Sequence, residues 1–499
     1  ISENNETTSR DKTDDEKEEA KTVSETLIKS SKIDEEEITK QLQQKLEDGN
    51  LQDANNDGIV DESDIESLKE QITDEKKQKI DFIVENSKDE NTEFLSDVIN
   101  QSDEKSTGEV IEKIIEDNDS LVEGVVENLS DKDNKFLTTS TSEGAGLIKE
   151  KLFETIVTKE TDKSASILSK VMGKADETTV ASIINNITEK NINVDSKLSL
   201  KVMADFSEKN PEKLETLAQN NADQIQKLTI SAIEKAESSQ EDANLIAKVV
   251  ASASEELANK VVEEVSKNST EENQALSAKV LKSIVETNPG KIETLSAENQ
   301  VNLITQTVEA AKNQADGSST DDVDLTNTIA EIVTKSNTAT AAKMLESLDE
   351  VSTSLGNSKL SLSVVSNLTK QENYEEKMEE LSSSSSIVEK NINNLVEKAV
   401  ENASSEEDLG LVSNIIENTE GTIADKIIDS ANKNSSNKKK ISEIIVKVVE
   451  KNPEKAIEII EKNDDTNNIL NEIKTKIENG DAISTDDFED VFNSDVTPN

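Results

Sequence analysis

The stretch "EKNPEKLETL" at residues 208–217 recurs twice in altered form, and this repetition decides the fold. Its relatives are "ETNPGKIETL" at 286–295 and "EKNPEKAIEI" at 450–459, and the three stretches hold three of the four prolines of the chain. Each Asn can cap a helix whose first residue is the Pro, where the missing N–H costs no hydrogen bond. Each stretch therefore predicts the end of one helix and the start of the next.

The spacing of these prolines gives the repeat length. Pro211 and Pro289 are 78 residues apart, and Pro289 and Pro453 are 164 apart, which is two steps of 82. Tyr374, in "ENYEEKMEEL", stands halfway along the longer interval in the place of the Pro, and we interpret it as structural. Ser254 and Glu420 mark further helix starts between the motifs. Each period of about 80 residues thus divides into two helical hairpins of about 40, the length range of HEAT-like units.

Amphipathic spacing supports helices in the segments between these points. Ile441, Ile444, Ile445, Val448 and Val449 fall at positions 0, 3, 4, 7 and 8, which places them on one helix face. A second set, Leu257, Val261, Val262 and Val265, does the same. Strand-like alternation is nowhere sustained. The sequence predicts an all-α protein, an α-solenoid of stacked helical hairpins in which each unit buries its apolar face against its neighbours.

Residues 1–20 are predicted to be a disordered acidic tail, residues 21–75 a separate N-terminal module, 76–475 the solenoid of roughly ten hairpins, and 476–499 a C-terminal cap or tail. "TTSTSEGAGL" at 138–147 interrupts the helical pattern and is interpreted as a linker or an insertion. The alternative is that this highly charged chain is disordered throughout. Amphipathic phase and capped helix starts, kept over hundreds of residues, favour the solenoid.

Composition excludes several classes of function. The 499 residues carry a formal net charge of -52, and Arg10 is the sole arginine, so nucleic acid and anionic membrane surfaces are disfavoured as partners. No apolar stretch is long enough to span a bilayer, which excludes membrane insertion. The chain has no Cys and no His, which removes disulfides, thiolate metal sites and His-dependent nucleophile systems. Chemistry that uses carboxylates alone stays formally open, but we expect no enzyme activity.

One acidic stretch does suggest chemistry. "DANNDGIVDESD" at 53–64 places acidic or amide oxygens at its first, third, fifth, ninth and twelfth positions, and Gly58 at its sixth. A calcium loop needs oxygen ligands at such positions and a residue without Cβ at the turn. An acidic turn without metal is the alternative, but it does not account for Gly58, the apolar Val60 and a following helix with Ile65 and Leu68 on one face.

This stretch resembles an EF-hand, and more closely a dockerin-type loop, which has Asp in place of Glu at position 12. The resemblance covers about 20 residues, and it implies that residues 21–75 form an EF-hand-like, dockerin-like calcium module and that 476–499 form a degenerate EF-like cap or tail. It implies calcium as the cofactor, with six ligand positions: Asp53, Asn55, Asp57, the carbonyl of Ile59, Asp61 through water, and Asp64. It also implies that Ile59 and Val60 form a short extended piece that pairs with a neighbouring loop.

Two degenerate copies of this loop are expected to bind no metal. "KIDEEEITKQL" from Lys32 matches the second half of the loop, but its first half would begin at Thr26 and places Ile28 at position 3. "DAISTDDFEDVF" repeats the second half at Ile483, Ser484, Asp487 and Phe488, with Lys476 at position 1. The serines 382–386 are interpreted as a helix junction, and Lys438–Lys440 as a helix start.

These features favour a non-enzymatic calcium-binding structural or interaction protein. We expect a secreted or cell-surface scaffold or self-assembling element, in an extracellular, cell-surface or periplasmic setting. The start at Ile1 suggests an excised or mature fragment whose targeting signal, if any, has been removed. The alternative is an adaptor whose solenoid groove binds a basic or helical peptide. Protein partners or self-association, together with calcium, are the predicted partners.

Overall fold

The computed structural model describes residues 14–31, 35–87, 92–189, 196–319, 322–354, 359–417, 419, 426, 438–463 and 468–488. Regular structure within these ranges is helical, and no β-strand occurs in them. The chain divides into two compact units, Ile1–Lys235 and Ala236–Asn499. The division falls in the polar connection before Gln240. The all-α prediction is confirmed for the described residues.

The first unit contains thirteen described α-helices and a 3₁₀ turn at Asp119–Leu121. The helices are α1 Asp14–Ser31, α2 Glu35–Glu47, α3 Glu62–Glu85, α4 Thr92–Gln101, α5 Glu104–Asp117, α6 Val122–Asp131, α7 Lys135–Thr138, α8 Glu143–Lys159, α9 Asp162–Lys174, α10 Glu177–Glu189, α11 Leu198–Lys209, α12 Pro211–Asn220 and α13 Ala222–Glu234.

The second unit continues with helices of similar length and ends its described part in a 3₁₀ turn at Thr485–Phe488. The helices are α14 Gln240–Ser252, α15 Glu255–Ser266, α16 Glu271–Thr287, α17 Gly290–Thr294, α18 Ala297–Ala315, α19 Leu325–Lys335, α20 Thr338–Ser354, α21 Leu360–Leu368, α22 Tyr374–Ser384, α23 Ser386–Asn402, α24 Glu406–Glu417, α25 Lys438–Lys451, α26 Pro453–Asn463 and α27 Asn468–Asn479.

The helices of each unit pack in rows, each helix against the next of its row. In the first unit α3, α5, α8, α10 and α13 form one row, and α4, α6, α9 and α11 form another. In the second unit one row is α14, α16, α19, α21, α24 and α25, and the other is α15, α18, α20 and α23. This is the packing of a helical-repeat protein, in which each layer covers the apolar stripe of its neighbours.

Polar contacts between layers repeat at the predicted hairpin length. Ion pairs join residues separated by 39, 39 and 41 positions along the chain. The pairs are Lys151–Glu112 at 3.2 Å, Lys201–Asp162 at 2.5 Å and Lys447–Glu406 at 3.3 Å. Each pair therefore links one hairpin of about 40 residues to the next.

The apolar stripes lie where the sequence predicts them. Leu257, Val261, Val262 and Val265 of α15 are all buried. In α25 Ile444, Ile445 and Val448 are buried and Val449 is half-buried, while the side chain of Ile441 lies outside the described part. Phe153 and Phe206 are among the largest fully buried side chains. Aliphatic stripes with a few large anchors thus form a thin core along each unit.

Two of the three proline motifs start a helix at the Pro, whereas α17 begins at Gly290 with Pro289, and not Asn288, as its N-cap residue, so the prediction is wrong there. Pro211 and Pro453 are the first residues of α12 and α26, and Asn452 Oδ1 accepts the Lys455 N–H at 3.1 Å as predicted. Asn210 makes no such cap. Its side chain lies against Gly173, where an added Cβ would come within 2.5 Å of Asn210 Oδ1. The prediction of a side-chain cap is wrong at Asn210 because the amide is used in packing.

Several boundaries differ from those predicted. Helix α1 begins at Asp14, inside the segment assigned to the disordered tail, and residues 1–13 lie outside the described ranges. Helix α3 crosses the predicted boundary at residue 75. The predicted single array of 76–475 is divided between the two units. Ser254 caps α15 as expected, since its Oγ accepts the Leu257 N–H at 3.4 Å, whereas Glu420 is outside the described residues.

Candidate calcium-binding loop

The loop of residues 53–64 joins α2 to α3 and lies over a small apolar cluster. Leu42, Leu51 and Ile65 are buried in this cluster, and Ile38, Leu46 and Leu68 pack against it in part. Leu42 comes from α2, Leu51 leads into the loop, and Ile65 lies in the first turn of α3. Apolar residues before and after the loop thus fix its two ends.

The turn in the middle of the loop has the predicted form. Gly58 has φ +81°, a conformation that side chains with Cβ rarely adopt. Its N–H donates to Asp53 Oδ2 at 2.9 Å, and the Asp57 N–H donates to Asp53 Oδ1 at 3.2 Å. A Cβ at Gly58 would meet no atom within 4 Å, so the backbone angle, and not space, requires glycine.

Asp64, at the twelfth position, is fully buried and joins the two ends of the loop. Its Oδ1 accepts the N–H groups of Ala54 at 2.7 Å and Asn55 at 3.2 Å, and its Oδ2 accepts the Asp61 N–H at 2.9 Å. The hydrogen bond from Asp61 is the main cause that lowers the pKa of Asp64; burial opposes it, and the bonds from Asn55 and Ala54 add to it. Asp64 is therefore held ionised.

The remaining predicted ligands are linked through a residue that the sequence did not single out. Ser63 Oγ donates to Asp61 Oδ1 at 2.6 Å and accepts from Asn55 Nδ2 at 2.7 Å. Asn55 Oδ1 accepts the Asp57 N–H at 3.0 Å, and Asp57 Oδ1 accepts the Ile59 N–H at 2.8 Å. A hydroxyl two residues after the Asp61 cap is the signal that could have identified Ser63.

The extended piece of the loop is exposed. The side chain of Ile59 is 62% exposed and that of Val60 is 45% exposed. Neither residue pairs with another loop in the described chain, where no strand or bridge is found. The Ile59 carbonyl remains one of the six predicted ligand positions. The predicted pairing with a neighbouring loop is not formed within this part of the chain.

The fit of the loop to a calcium ion is mixed. In its favour, the donor set contains oxygen only, as calcium prefers, and the turn at Gly58 has the required backbone. Against it, the carboxylates bond to N–H and O–H groups of their own loop. Among the described residues, no group of three or more acidic, His or Cys side chains is placed to hold a metal ion. Ion binding would require the side chains of Asp53, Asp57 and Asp61 to turn toward a common point.

The degenerate copies are built differently. Thr26 and Ile28 lie within helix α1, so the first copy has no loop in its first half, and residues 32–34 are outside the described part. In the C-terminal copy the Ser484 N–H donates to Asp487 Oδ2 at 2.8 Å, as Asp61 does to Asp64. Lys476 Nζ contacts Asp487 Oδ1 at 2.5 Å. A lysine thus pairs with the twelfth-position carboxylate in this copy.

The other residues that the sequence analysis singled out have structural positions at helix ends. Ser384 ends α22, and Ser385 caps α23 by accepting the Ile387 N–H at 3.1 Å, so the serine run is a helix junction. Lys438–Lys440 form the first residues of α25. Tyr374 is buried at the start of α22, in keeping with a structural role.

A cavity of about 680 Å³ in the second unit was not foreseen from the sequence. Acidic side chains dominate its charged lining: Glu237, Glu271, Glu272 and Asp322. Lys279 also lines it, but this lysine is buried and its Nζ donates to the Ser238 carbonyl. The cavity therefore presents a negative surface that suits a cationic group.

Comparisons with known proteins assign no family. No protein-family model matches the chain, and no curated protein matches it significantly. Among solved structures, an engineered protein from a structural genomics consortium is 12% identical, with 79% of this chain and 98% of that chain covered and a TM-score of 0.29. A circular tandem repeat protein is 15% identical, with 93% and 92% covered and a TM-score of 0.17. Scores this low support no conclusion about fold or function.

No helix among the described residues could cross a membrane.

Proposed function

We propose that this chain is a non-enzymatic structural or interaction protein, an acidic helical-repeat array whose N-terminal EF-hand-like, dockerin-like module binds calcium. The ligands are the side chains of Asp53, Asn55, Asp57, Asp61 and Asp64 and the carbonyl of Ile59. The array follows a super-repeat of about 80 residues and acts outside the cell, at its surface or in the periplasm, as a scaffold or self-assembling element.

The observation that carries the calcium proposal is the turn at Gly58. A positive φ at the sixth position, with the N–H bonded to the first-position carboxylate, brings the first half of the loop back toward Asp61 and Asp64. None of the ion pairs among the described residues involves Asp53, Asp57, Asp61 or Asp64. Four carboxylates in one short loop without a lysine repel each other, and a divalent cation relieves that repulsion.

The expected affinity suits the proposed location. Asp64 is shorter than the bidentate Glu of sensor loops, and the loop has no functional second copy, so a dissociation constant of about 0.1–1 mM is expected. Such a site fills in calcium-rich surroundings outside cells. The absence of His and Cys from the sequence supports a role without catalysis.

Isothermal titration and terbium luminescence test the calcium proposal. The double variant Asp53→Ala/Asp57→Ala should lose one site relative to the wild type. The control Asp223→Ala/Glu346→Ala removes two exposed carboxylates from other helices and should keep that site. Equal binding by the wild type and the loop variant would refute the assignment. Electron microscopy with and without a chelator tests self-assembly, and dispersed single particles in both conditions would contradict it.

The acidic cavity of the second unit favours the second candidate function, an adaptor for a basic or helical peptide. Its carboxylates, among them Glu271 and Glu272 in the first turn of α16, would pair with Lys or Arg side chains of such a partner. Fluorescence anisotropy with a lysine-rich helical peptide tests this role. Binding that is unchanged in Glu271→Gln/Glu272→Gln would exclude the cavity as the peptide site.

A further inference from the structure

The connection Thr139–Ser142, between α7 and α8, is fastened by carboxylates from two other parts of the first unit. The N–H and the hydroxyl of Ser140 donate to Asp176 Oδ2 at 2.6 and 2.9 Å. The N–H and the hydroxyl of Ser142 donate to Glu104 Oε1 at 2.7 and 2.5 Å. Glu104 is the first residue of α5, and Asp176 lies between α9 and α10. The connection thus depends on groups that are distant in sequence.

Lys149 of α8 also holds this connection in place, through a hydrogen bond from its buried side chain. Its side chain is buried, and its Nζ donates to the Thr139 carbonyl at 2.7 Å and to Thr179 Oγ1 at 3.2 Å. Burial lowers the pKa of Lys149, and the negative charges of Asp176 and Glu104 oppose this effect. The lysine therefore interacts electrostatically with both of the carboxylates that hold the serines.

The helical turns on either side of the connection are short or weak, and the Asp176 N–H adds a further bond to the Thr138 carbonyl at 2.7 Å. Helix α7 is a single turn, Lys135–Thr138, and the first turn of α8 contains Gly144 and Gly146, which weaken a helix. The hydroxyl of Thr141 is buried without a hydrogen-bond partner. Phe136 and Leu137 of α7 are buried, and α7 packs against α6 and α9. These two buried side chains thus belong to the short helix that the connection joins to α8.

We propose that Thr139–Ser142 is a polar latch: when its bonds to Glu104, Lys149 and Asp176 break, residues 135–147 open together and expose Phe136 and Leu137. The later turns of α8 and helix α9 stay folded, because their own apolar stripes remain packed.

Hydrogen–deuterium exchange of the full chain tests the latch. Lys149→Met keeps the length of the side chain and removes its charge and its two hydrogen bonds. Amides of 135–147 should then exchange at least about tenfold faster, the factor expected for the loss of a charge-assisted hydrogen bond. Lys151→Met is the matched control, because Lys151 lies on the same helix and its Nζ pairs with the half-buried Glu112 at 3.2 Å, away from the connection in sequence.

The pattern of exchange decides the outcome. Faster exchange confined to 135–147 in Lys149→Met, with no change in Lys151→Met, supports the latch. Exchange that rises equally over α8, α9 and α10, or that does not change, overturns it. Ser140→Ala/Ser142→Ala removes only the two hydroxyls and should give the same local pattern together with increased binding of an apolar dye; unchanged exchange in this variant would also contradict the latch.

Discussion

The substitution Asp408→Asn should destabilise the second unit strongly at neutral pH and little in acid. Asp408 is 3% exposed at the start of α24. Its Oδ2 accepts the N–H groups of Ser404 at 3.1 Å and Ser405 at 2.9 Å, and its Oδ1 accepts from Lys359 Nζ at 3.1 Å. One carboxylate thus caps α24 and joins it to the residue before α21.

The magnitude follows from the pKa of Asp408. Burial alone would raise this pKa, but the hydrogen bonds from Ser405, Ser404 and Lys359 outweigh it and lower the value from 3.8 to about 2. A shift of this size corresponds to about 2 kcal/mol of stability. Because the folded pKa lies below the unfolded one, the stabilisation is complete above about pH 4 and is lost as the pH falls through about 2.

Urea unfolding followed by circular dichroism measures this effect. At pH 7 Asp408→Asn should lower the free energy of unfolding of its unit by about 2 kcal/mol, and the difference from wild type should shrink toward zero near pH 2. Glu346→Gln is the control, because Glu346 is exposed on α20. A difference between wild type and Asp408→Asn that stays constant from pH 7 to pH 2 would refute the assignment of the stabilisation to the ionised carboxylate.

Other substitutions test the core, the loop and the C-terminal turn. Phe206→Ala empties a fully buried position and should cost about 3–5 kcal/mol in urea unfolding, whereas Ile387→Ala, at a position that is 64% exposed, should cost little. Gly58→Ala forces a Cβ into φ +81°, which costs about 1–2 kcal/mol, so titration should show calcium affinity weaker by about tenfold. Lys476→Met removes the ion pair to Asp487 and should speed amide exchange at residues 481–487 without changing calcium binding. A loss of calcium binding in this last variant would mean that the C-terminal turn, and not the loop of residues 53–64, holds the metal.

Much of the fold could be predicted because local signals mark it. The apolar period of α15 and the prolines at the start of α12 and α26 can be recognised without knowledge of distant residues. The features that the sequence did not predict depend on tertiary contacts. The side chain of Asn210 does not cap α12, because its amide packs against Gly173 on another helix, where no Cβ is in the way. The division into two units likewise depends on contacts between helices, which periodicity does not report.

The candidate site was likewise predicted only in part. The positions of Asp53, Gly58 and Asp64 follow from spacing within one short loop, and the turn at Gly58 has the expected backbone. Ser63 was missed because its hydroxyl acts across the loop, bonding to both Asn55 and Asp61. The latch at Thr139–Ser142 could not be predicted at all. Its serines look like linker residues until folding brings Glu104, Lys149 and Asp176 beside them.

Far-UV circular dichroism of the whole chain in high salt and excess calcium tests the central claim most directly. Helices of ten to nineteen residues, such as α12 and α18, are marginal in water on their own. A strong helical signal that urea removes cooperatively is therefore the predicted result, since only packing between layers can stabilise such helices. A random-coil spectrum, or a weak helical signal that fades gradually without a transition, would contradict the stacked-repeat account.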